Sequence, residues 1–237
     1  MPEPIVLSIV IPAYNEGKNL RQTLDSVRAT MQAVDLSSYE IIVADDHSTD
    51  DTAQIARDAG ARVVVSGKRN IGATRNVGAQ AAQGQFLLFL DADTLVNPRT
   101  VSAMLLAFAS GAVGGGAYFR WSAPAPLYSR LVLRLLNWIS RSLRSPAGAF
   151  FFARKEAFDQ VGGFDEKYFL SEELYLANNL KRLGQLVILR EAIATSPRKF
   201  AQFSFFEMLR FLWRTFCHPG RVVRDRKELE IWYTRRG

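Results

Sequence analysis

The 237-residue sequence contains one cysteine, Cys217, and two histidines, His47 and His218. One thiol cannot close an internal disulfide, so the fold stands without covalent staples and a reducing compartment is expected. Two histidines without partner spacing or a Cys/His cluster give no zinc site. Long hydrophobic runs are missing too. The apolar run at residues 5–11 is too short for a secretion signal and follows an acid, Glu3, where a basic stretch would be needed. There is no internal repeat, no linker-like stretch and no Ser-His-Asp arrangement. The glycines at 114–116 lack the Lys-Ser/Thr of a phosphate-cradling loop. Hydrophobic residues at 48% and charged residues at 22% exclude a disordered, collagenous or low-complexity chain.

Acid is absent from residues 94–155, which carry 8 Lys/Arg and no Asp or Glu. The formal net charge of +7 is therefore uneven. Residues 1–93 hold 8 basic and 12 acidic side chains, residues 156–197 hold 4 and 7, and residues 198–237 hold 10 and 4. Two basic blocks between acidic ones point to an anionic partner, nucleic acid or a phospholipid surface, against the plainer reading of solvated surface arginines.

Apolar runs and turn residues order the first half as strands alternating with helices. Residues 7–11 (LSIVI), 40–44 (EIIVA), 62–65 and 86–90 (FLLFL) read as strands. Helices are predicted from about residue 17 to Met31, after N-cap types at Ser48, Thr49 and Asp50, and over residues 72–82. This alternation predicts an α/β fold with a mostly parallel sheet and helices on both faces. In the second half, residues 111–118 and 149–153 read as strands, residues 121–126 as a loop, and residues 127–144 and 172–183 as helices.

Ligands of such sheets bind past the carboxyl ends of the strands. Those positions hold Pro12 to Glu16, Asp45 and Asp46, residues 68–70, and Asp91, Ala92 and Asp93. Three of the four sets are acidic, which predicts a divalent cation among them. Asp91 and Asp93, at i and i+2, would point the same way in extended chain and approach one hard ion together. Mg²⁺ or Mn²⁺ held by few carboxylates keeps positions for diphosphate oxygens and neutralises charge on a leaving phosphate.

Five blocks, residues 7–16 (LSIVIPAYNE), 41–52 (IIVADDHSTDDT), 70–78 (NIGATRNVG), 86–93 (FLLFLDAD) and 162–184, together resemble family 2 glycosyltransferases. The resemblance covers about residues 5–184. It implies a GT-A fold and inverting transfer of a sugar from a nucleotide diphosphate donor to an acceptor, with Mg²⁺ or Mn²⁺. It further implies that Pro12, Ala13 and Tyr14 wall the base and that Glu16 contacts the nucleoside. Asp46 would bond base or ribose, with Asp45 beside it. Arg75 would lie near the diphosphate, unless it is a cation on a helix surface. Ala92 and Asp91 would line the donor site, Asp91 on ribose or metal, with Asp93 the principal metal ligand. The fifth block departs from the family's pattern. Glu173, after Glu172, stands where an Asp usually serves as catalytic base, and Tyr175 and Asn179 replace an Asp and an Arg. A carboxylate there can still accept a proton, whereas an acceptor that is already an anion, such as a polyprenyl phosphate, needs no base.

The basic segments carry two amphipathic patterns. Over residues 127–144, from Leu127 to Arg144, a stripe of Arg130, Arg134, Asn137, Arg141 and Arg144 opposes leucines and Trp138. Residues 203–216, from Phe203 to Phe216, repeat the theme with Glu207, Arg210 and Arg214. Neither spans a bilayer, and both suit the interface, unless they pack on the domain core. The expected architecture is a GT-A domain over residues 1–200 and a basic amphipathic extension over 201–237, cytoplasmic or peripheral on a membrane's cytoplasmic face. The expected partners are a sugar nucleotide and an acceptor the sequence does not identify, a lipid-linked one among the options, with no nucleic acid. A non-catalytic module binding polyanions or lipid is the alternative of another class.

Overall fold

The computed structural model describes residues 6–124, 127–144, 146, 148–169 and 172–195. The 201–237 extension, with the 203–216 helix, lies outside the described residues. In chain order the elements are β1 (Leu7–Ala13), α1 (Gly17–Ala33), β2 (Tyr39–Asp45), α2 (Thr52–Asp58), β3 (Arg62–Val65), α3 (Ile71–Ala81), β4 (Phe86–Leu90), β5 (Thr94–Leu95), α4 (Pro98–Ala109), β6 (Gly114–Trp121), α5 (Leu127–Leu143), β7 (Phe150–Arg154), α6 (Lys155–Gln160), α7 (Glu172–Leu180) and β8 (Leu186–Thr195).

The strands form one sheet in the order β3-β2-β1-β4-β7-β6-β8-β5. The contacts among β3, β2, β1 and β4 are parallel, and β7 enters antiparallel between β4 and β6. β8 then runs parallel to β6, and the short β5 closes the edge antiparallel to β8. The carboxyl ends of β1, β2, β4, β6 and β8 consequently share one rim, and the start of β7 comes up beside the end of β4. Pro12 sits inside β1, two residues past the last β4 pairing at Val10 and Phe89, where its missing N–H breaks no ladder to β4.

The apolar runs are continuous because both faces are covered. Leu7, Ile9 and Ile11 of β1, Leu88 and Leu90 of β4, and Phe150 and Phe152 of β7 pack beneath α1, α2 and α4. Val10, Leu87, Phe89, Phe151 and Ala153 face the other way, with Phe158 of α6, Phe164, and Leu176 and Leu180 of α7. The helix α3 joins this second layer at close range. A Cβ at Gly78 would come within 2.3 Å of Val10 Cγ1, so only glycine lets α3 lie this near β1.

The structure corrects several sequence expectations. The strand expected at 111–118 begins and ends three residues later, so Trp121 belongs to β6 and not to the loop. The helix α2 starts at Thr52 with Asp51 as its N-cap residue, not Ser48, Thr49 or Asp50, and Asp50 accepts from the Thr52 N–H at 3.1 Å just ahead of it. Four elements went unpredicted: β5, α4, α6 and β8. Asn97 and Pro98 are the N-cap and first residue of α4, and residues 186–189 form an apolar run after Gly184 that opens β8.

Candidate active site

At the rim, the loops after β1 and β2 are stitched together by short-side-chain hydrogen bonds. The Asn15 N–H donates to Ser48 Oγ at 3.0 Å, and the Thr49 N–H donates to Asn15 Oδ1 at 2.8 Å. The Glu16 N–H reaches Thr52 Oγ1 at 2.8 Å and the Gly17 N–H reaches Asp50 Oδ2 at 3.0 Å. Asn15 takes φ +52°, a conformation its short polar side chain tolerates better than most. The loops therefore hold Tyr14 at the mouth, where the Arg69 guanidinium lies 4.6 Å from the centre of its ring. Pro12 and Ala13 are buried below it in β1. Glu16 is turned onto its own helix and accepts from Asn19 Nδ2 at 3.1 Å, while its backbone carbonyl opens α1.

The two carboxylates after β2 differ. Asp46 Oδ1 accepts from the Arg69 N–H at 2.9 Å. Asp45 Oδ2 accepts from the Ser48 N–H at 3.2 Å, but its Oδ1 is buried with no hydrogen-bond partner. A buried acceptor without a donor is costly in a finished fold, so this oxygen is a place where a ligand N–H or O–H would be gained.

Past β4 the chain turns. The Thr94 N–H donates to the Asp91 carbonyl at 3.1 Å, and Thr23 of α1 holds the Ala92 carbonyl at 2.8 Å. Asp91, Ala92 and Asp93 therefore lie on a tight turn and not on extended chain, because β4 must reverse to reach β5. Ala92 is buried, and Asp91 and Asp93 are partly exposed.

Beside this turn stands Arg75 of α3. Its side chain is 1% exposed. Nη1 donates to Glu172 Oε1 at 2.8 Å and Glu173 Oε1 at 2.9 Å, while Nη2 donates to Asp91 Oδ1 at 3.0 Å and the Gly148 carbonyl at 3.0 Å. The helix-surface alternative for Arg75 is thus excluded, and its guanidinium is committed to carboxylates of the chain itself. Three carboxylates beside it raise its pKa further despite its burial. Glu172, 2% exposed, moves the opposite way from an ordinary carboxylate. Its pKa rises to about 8, first because burial penalises its charge and next because Glu173 is adjacent, with Arg75 only partly opposing. Glu172 therefore holds a proton to higher pH than an ordinary carboxylate does, and it bonds the guanidinium as Asp91 and Glu173 do. The positive charge that sequence reasoning assigned wholly to a divalent ion is in part this arginine.

Two asparagines fix the approach of α7. Asn70 caps α3 by accepting from the Ala73 N–H at 2.9 Å and donates to the carbonyls of Glu166 and Tyr168 at 3.1 and 3.0 Å. Asn76 exchanges hydrogen bonds with the Phe164 backbone at 2.8 and 2.9 Å. They explain what the glycine-rich turn at 162–166 is for: it presents its backbone to α3 and so delivers Glu172 and Glu173 to Arg75.

Residues 8–162 match the profile of glycosyl transferase family 2. The chain belongs to glycosyltransferase family 2. This transferase is 24% identical over 238 residues to a dolichol-phosphate mannosyltransferase of Pyrococcus furiosus, covering 92% of this chain and 66% of that protein. It spans smaller shares of the other curated relatives. Its fold is similar to that of glucosyl-3-phosphoglycerate synthase from Mycobacterium tuberculosis in complex with Mn²⁺, UDP and glucosyl-3-phosphoglycerate. That match has a TM-score of 0.63 at 22% identity and covers 89% of this chain and 76% of that one. A mannosyltransferase from Pyrobaculum calidifontis in complex with GDP-Man and Mn²⁺ is similar with a TM-score of 0.67 at 16% identity, over 88% of this chain and 60% of that one. The fold of the transferase is thus the GT-A fold that the resemblance implies.

Among the described residues, no group of three or more His, Cys, Asp or Glu side chains is arranged to hold a metal ion. The turn of Asp91 and Asp93 supplies two hard oxygen donors at an open rim. That set suits Mg²⁺ or Mn²⁺, which complete their shells with water and substrate phosphate, better than an ion needing a full protein cage. The sequence places Arg69 and Asn70 at the rim, within residues 68–70, without giving either a role, and it gives no sign of Gly148. Asn70 carried a signal, an N-cap residue type at the head of a predicted helix; Gly148 carried none.

Proposed function

We propose that the transferase moves a sugar, with inversion, from a nucleoside diphosphate donor to an acceptor, and that Asp91 and Asp93 would hold the Mg²⁺ or Mn²⁺ that accompanies the donor. The observation that carries this reading is the gathering of Asp45, Asp46, Asp91, Glu172, Glu173 and Arg75 from four separate segments at one rim of the sheet. Tyr14, stacked under Arg69, would wall the base above Pro12 and Ala13. The unfilled Oδ1 of Asp45 would accept from base or ribose, with Asp46 ordering Arg69 behind it. When bound, the cation neutralises charge on the departing diphosphate. The test is Asp93→Asn with Mn²⁺: sugar transfer or donor hydrolysis falls, and unchanged turnover rejects the role of Asp93.

A specific observation favours an acceptor that is already an anion. Glu173, in the position of the catalytic base, spends Oε1 on the Arg75 ion pair, so that oxygen is engaged by the guanidinium and not by an acceptor hydroxyl. A lipid-linked phosphate would need no proton removed. The surface of α5 supports a membrane setting. Leu127, Leu131, Leu135 and Trp138 are 72%, 57%, 55% and 65% exposed, whereas Asn137 pairs with both the N–H and carbonyl of Phe119. The helix thus docks through Ser129, Leu133 and Asn137 and turns its other leucines outward beside Arg130 and Arg134, the arrangement that suits acyl chains with phosphates at their edge. Among the described residues no helix is long and apolar enough to cross a membrane. With polyprenyl phosphate as acceptor, Glu173→Gln is expected to keep most of its turnover. A hundredfold loss, or better transfer to water-soluble alcohols, would reject this acceptor.

A further inference from the structure

The most unusual group in the molecule is a buried arginine with every Nη hydrogen assigned. We propose that Arg75 is the positioning residue that sets Asp91 and Glu173 at a fixed distance from each other, so that the donor side and the acceptor side of the reaction close on one guanidinium. The inference rests on the transferase reading and adds to it a residue that touches neither substrate.

Three observations carry it. First, Nη2 binds Asp91 at 3.0 Å on the donor side and Nη1 binds Glu173 at 2.9 Å on the acceptor side, so the planar guanidinium is the physical spacer between them. Second, the spacer is itself clamped. Glu172 takes the second Nη1 hydrogen at 2.8 Å and the Gly148 carbonyl the second Nη2 hydrogen, while the guanidinium carbon lies 5.4 Å from the centre of the Phe164 ring. Third, nothing else fits. A Cβ on Gly148 would fall 1.8 Å from Glu173 Oε1, so the backbone there is pressed against the carboxylate that Arg75 aims. A lysine in this place offers three hydrogens on one point and cannot reach both carboxylates as a rigid fork does.

Because Asp91 and Glu173 lie 82 positions apart in sequence and on different elements, loss of the spacer lets them drift independently. A displacement of about 1 Å costs a reaction on the order of 100-fold. The loss is expected in kcat for hydrolysis and for transfer to a hydroxyl, the reactions in which Glu173 would take a proton, and the contacts assigned to the nucleoside, at Tyr14, Asp45 and Asp46, do not involve Arg75.

The test compares the full chain with Arg75→Lys and Arg75→Ala, using UDP-glucose and GDP-mannose with Mn²⁺ and measuring transfer or hydrolysis alongside calorimetric binding of UDP and GDP. In chelator, where Asp91 holds no ion, Arg75→Lys is expected to bind the nucleotide within about threefold of wild type, while its kcat in Mn²⁺ falls about 100-fold. Added guanidinium ion is expected to restore at least tenfold of the turnover lost in Arg75→Ala, and ammonium ion is not. Turnover of Arg75→Lys within threefold of wild type overturns the proposal. So does guanidinium that restores the thermal midpoint of Arg75→Ala but not its turnover, because the role would then be one of stability alone. Should Arg75→Ala not fold, Arg75→Lys decides by its kcat against its nucleotide affinity. Wild type that binds neither nucleotide rejects the transferase reading itself, a result distinct from bound nucleotide with unaltered kcat in Arg75→Lys.

Discussion

The two halves of the rim are built by different physics. Around β1 and β2 the loops are joined by neutral or singly charged hydrogen bonds from Asn15 and Gly17 to Ser48, Thr49 and Asp50, across 33 to 34 residues of sequence and several near solvent. Around β4, α3 and α7 a single buried cation joins carboxylates from Asp91 to Glu173. Each bond of the first kind contributes about 1 kcal/mol, so losses there are graded. In the second kind, removing one partner leaves buried charge uncompensated, at about 3–5 kcal/mol. The β1–β2 side of the rim, proposed for the nucleotide, is therefore built to tolerate change and the Arg75 side, proposed for the acceptor, is not.

Substitutions can break or sharpen this contrast. The largest effect is expected from Asp93→Asn, a loss on the order of 100- to 1,000-fold in kcat with Mn²⁺, since several kcal/mol of charge stabilisation disappear. Steady-state sugar transfer measures it. Next comes Gly148→Ala, which forces a methyl into Glu173 and should lower stability by about 1–3 kcal/mol by denaturant unfolding, with turnover falling as well. The contrasting change, Asn15→Ala at the tolerant end, should remain within about 1 kcal/mol.

A smaller, pH-dependent effect follows from Glu172. Its folded pKa of about 8 lies above its ordinary 4.5. The folded state thus holds a proton that the unfolded chain has released, and rising pH across that window removes stability. Wild type should accordingly unfold at lower urea at pH 8 than at pH 5 on account of this group, and Glu172→Gln should flatten the difference. The smallest change in stability belongs to Leu131→Glu with Trp138→Glu on the outer face of α5, within about 0.5 kcal/mol per site. Co-sedimentation with anionic phospholipid vesicles should nevertheless be lost.

The same division marks what could be read from the residues. The nucleotide end was legible because its chemistry is local: apolar runs of both-sided strands, turn residues after them and acids at their ends. Four parallel strands, their helices and the rim positions of Tyr14, Asp45, Asp46 and Asp91 followed from that pattern. The acceptor end was not, because Arg75 finds partners 16, 97 and 98 residues away, and no periodicity encodes such a meeting. The same holds for β8, whose Leu186–Thr195 run alternates imperfectly since it bulges against β6 between Ala117 and Tyr118. On α5 the stripe was legible but its direction was not. Asn137 pairs with the Phe119 backbone and Leu133 packs on the core, so Leu127, Leu131, Leu135 and Trp138 are left outside with the arginines.

The central claim is that acids at this rim complete a site for a nucleoside diphosphate and a divalent ion. Calorimetric titration of UDP and GDP into the full chain, with Mn²⁺ and with chelator, tests it most directly. The account predicts that at least one nucleotide binds with Mn²⁺, that binding weakens at least tenfold without it, and that Asp93→Asn behaves in Mn²⁺ as wild type does in chelator. Absence of binding for both nucleotides, or affinity indifferent to Mn²⁺ and to Asp93, would contradict it.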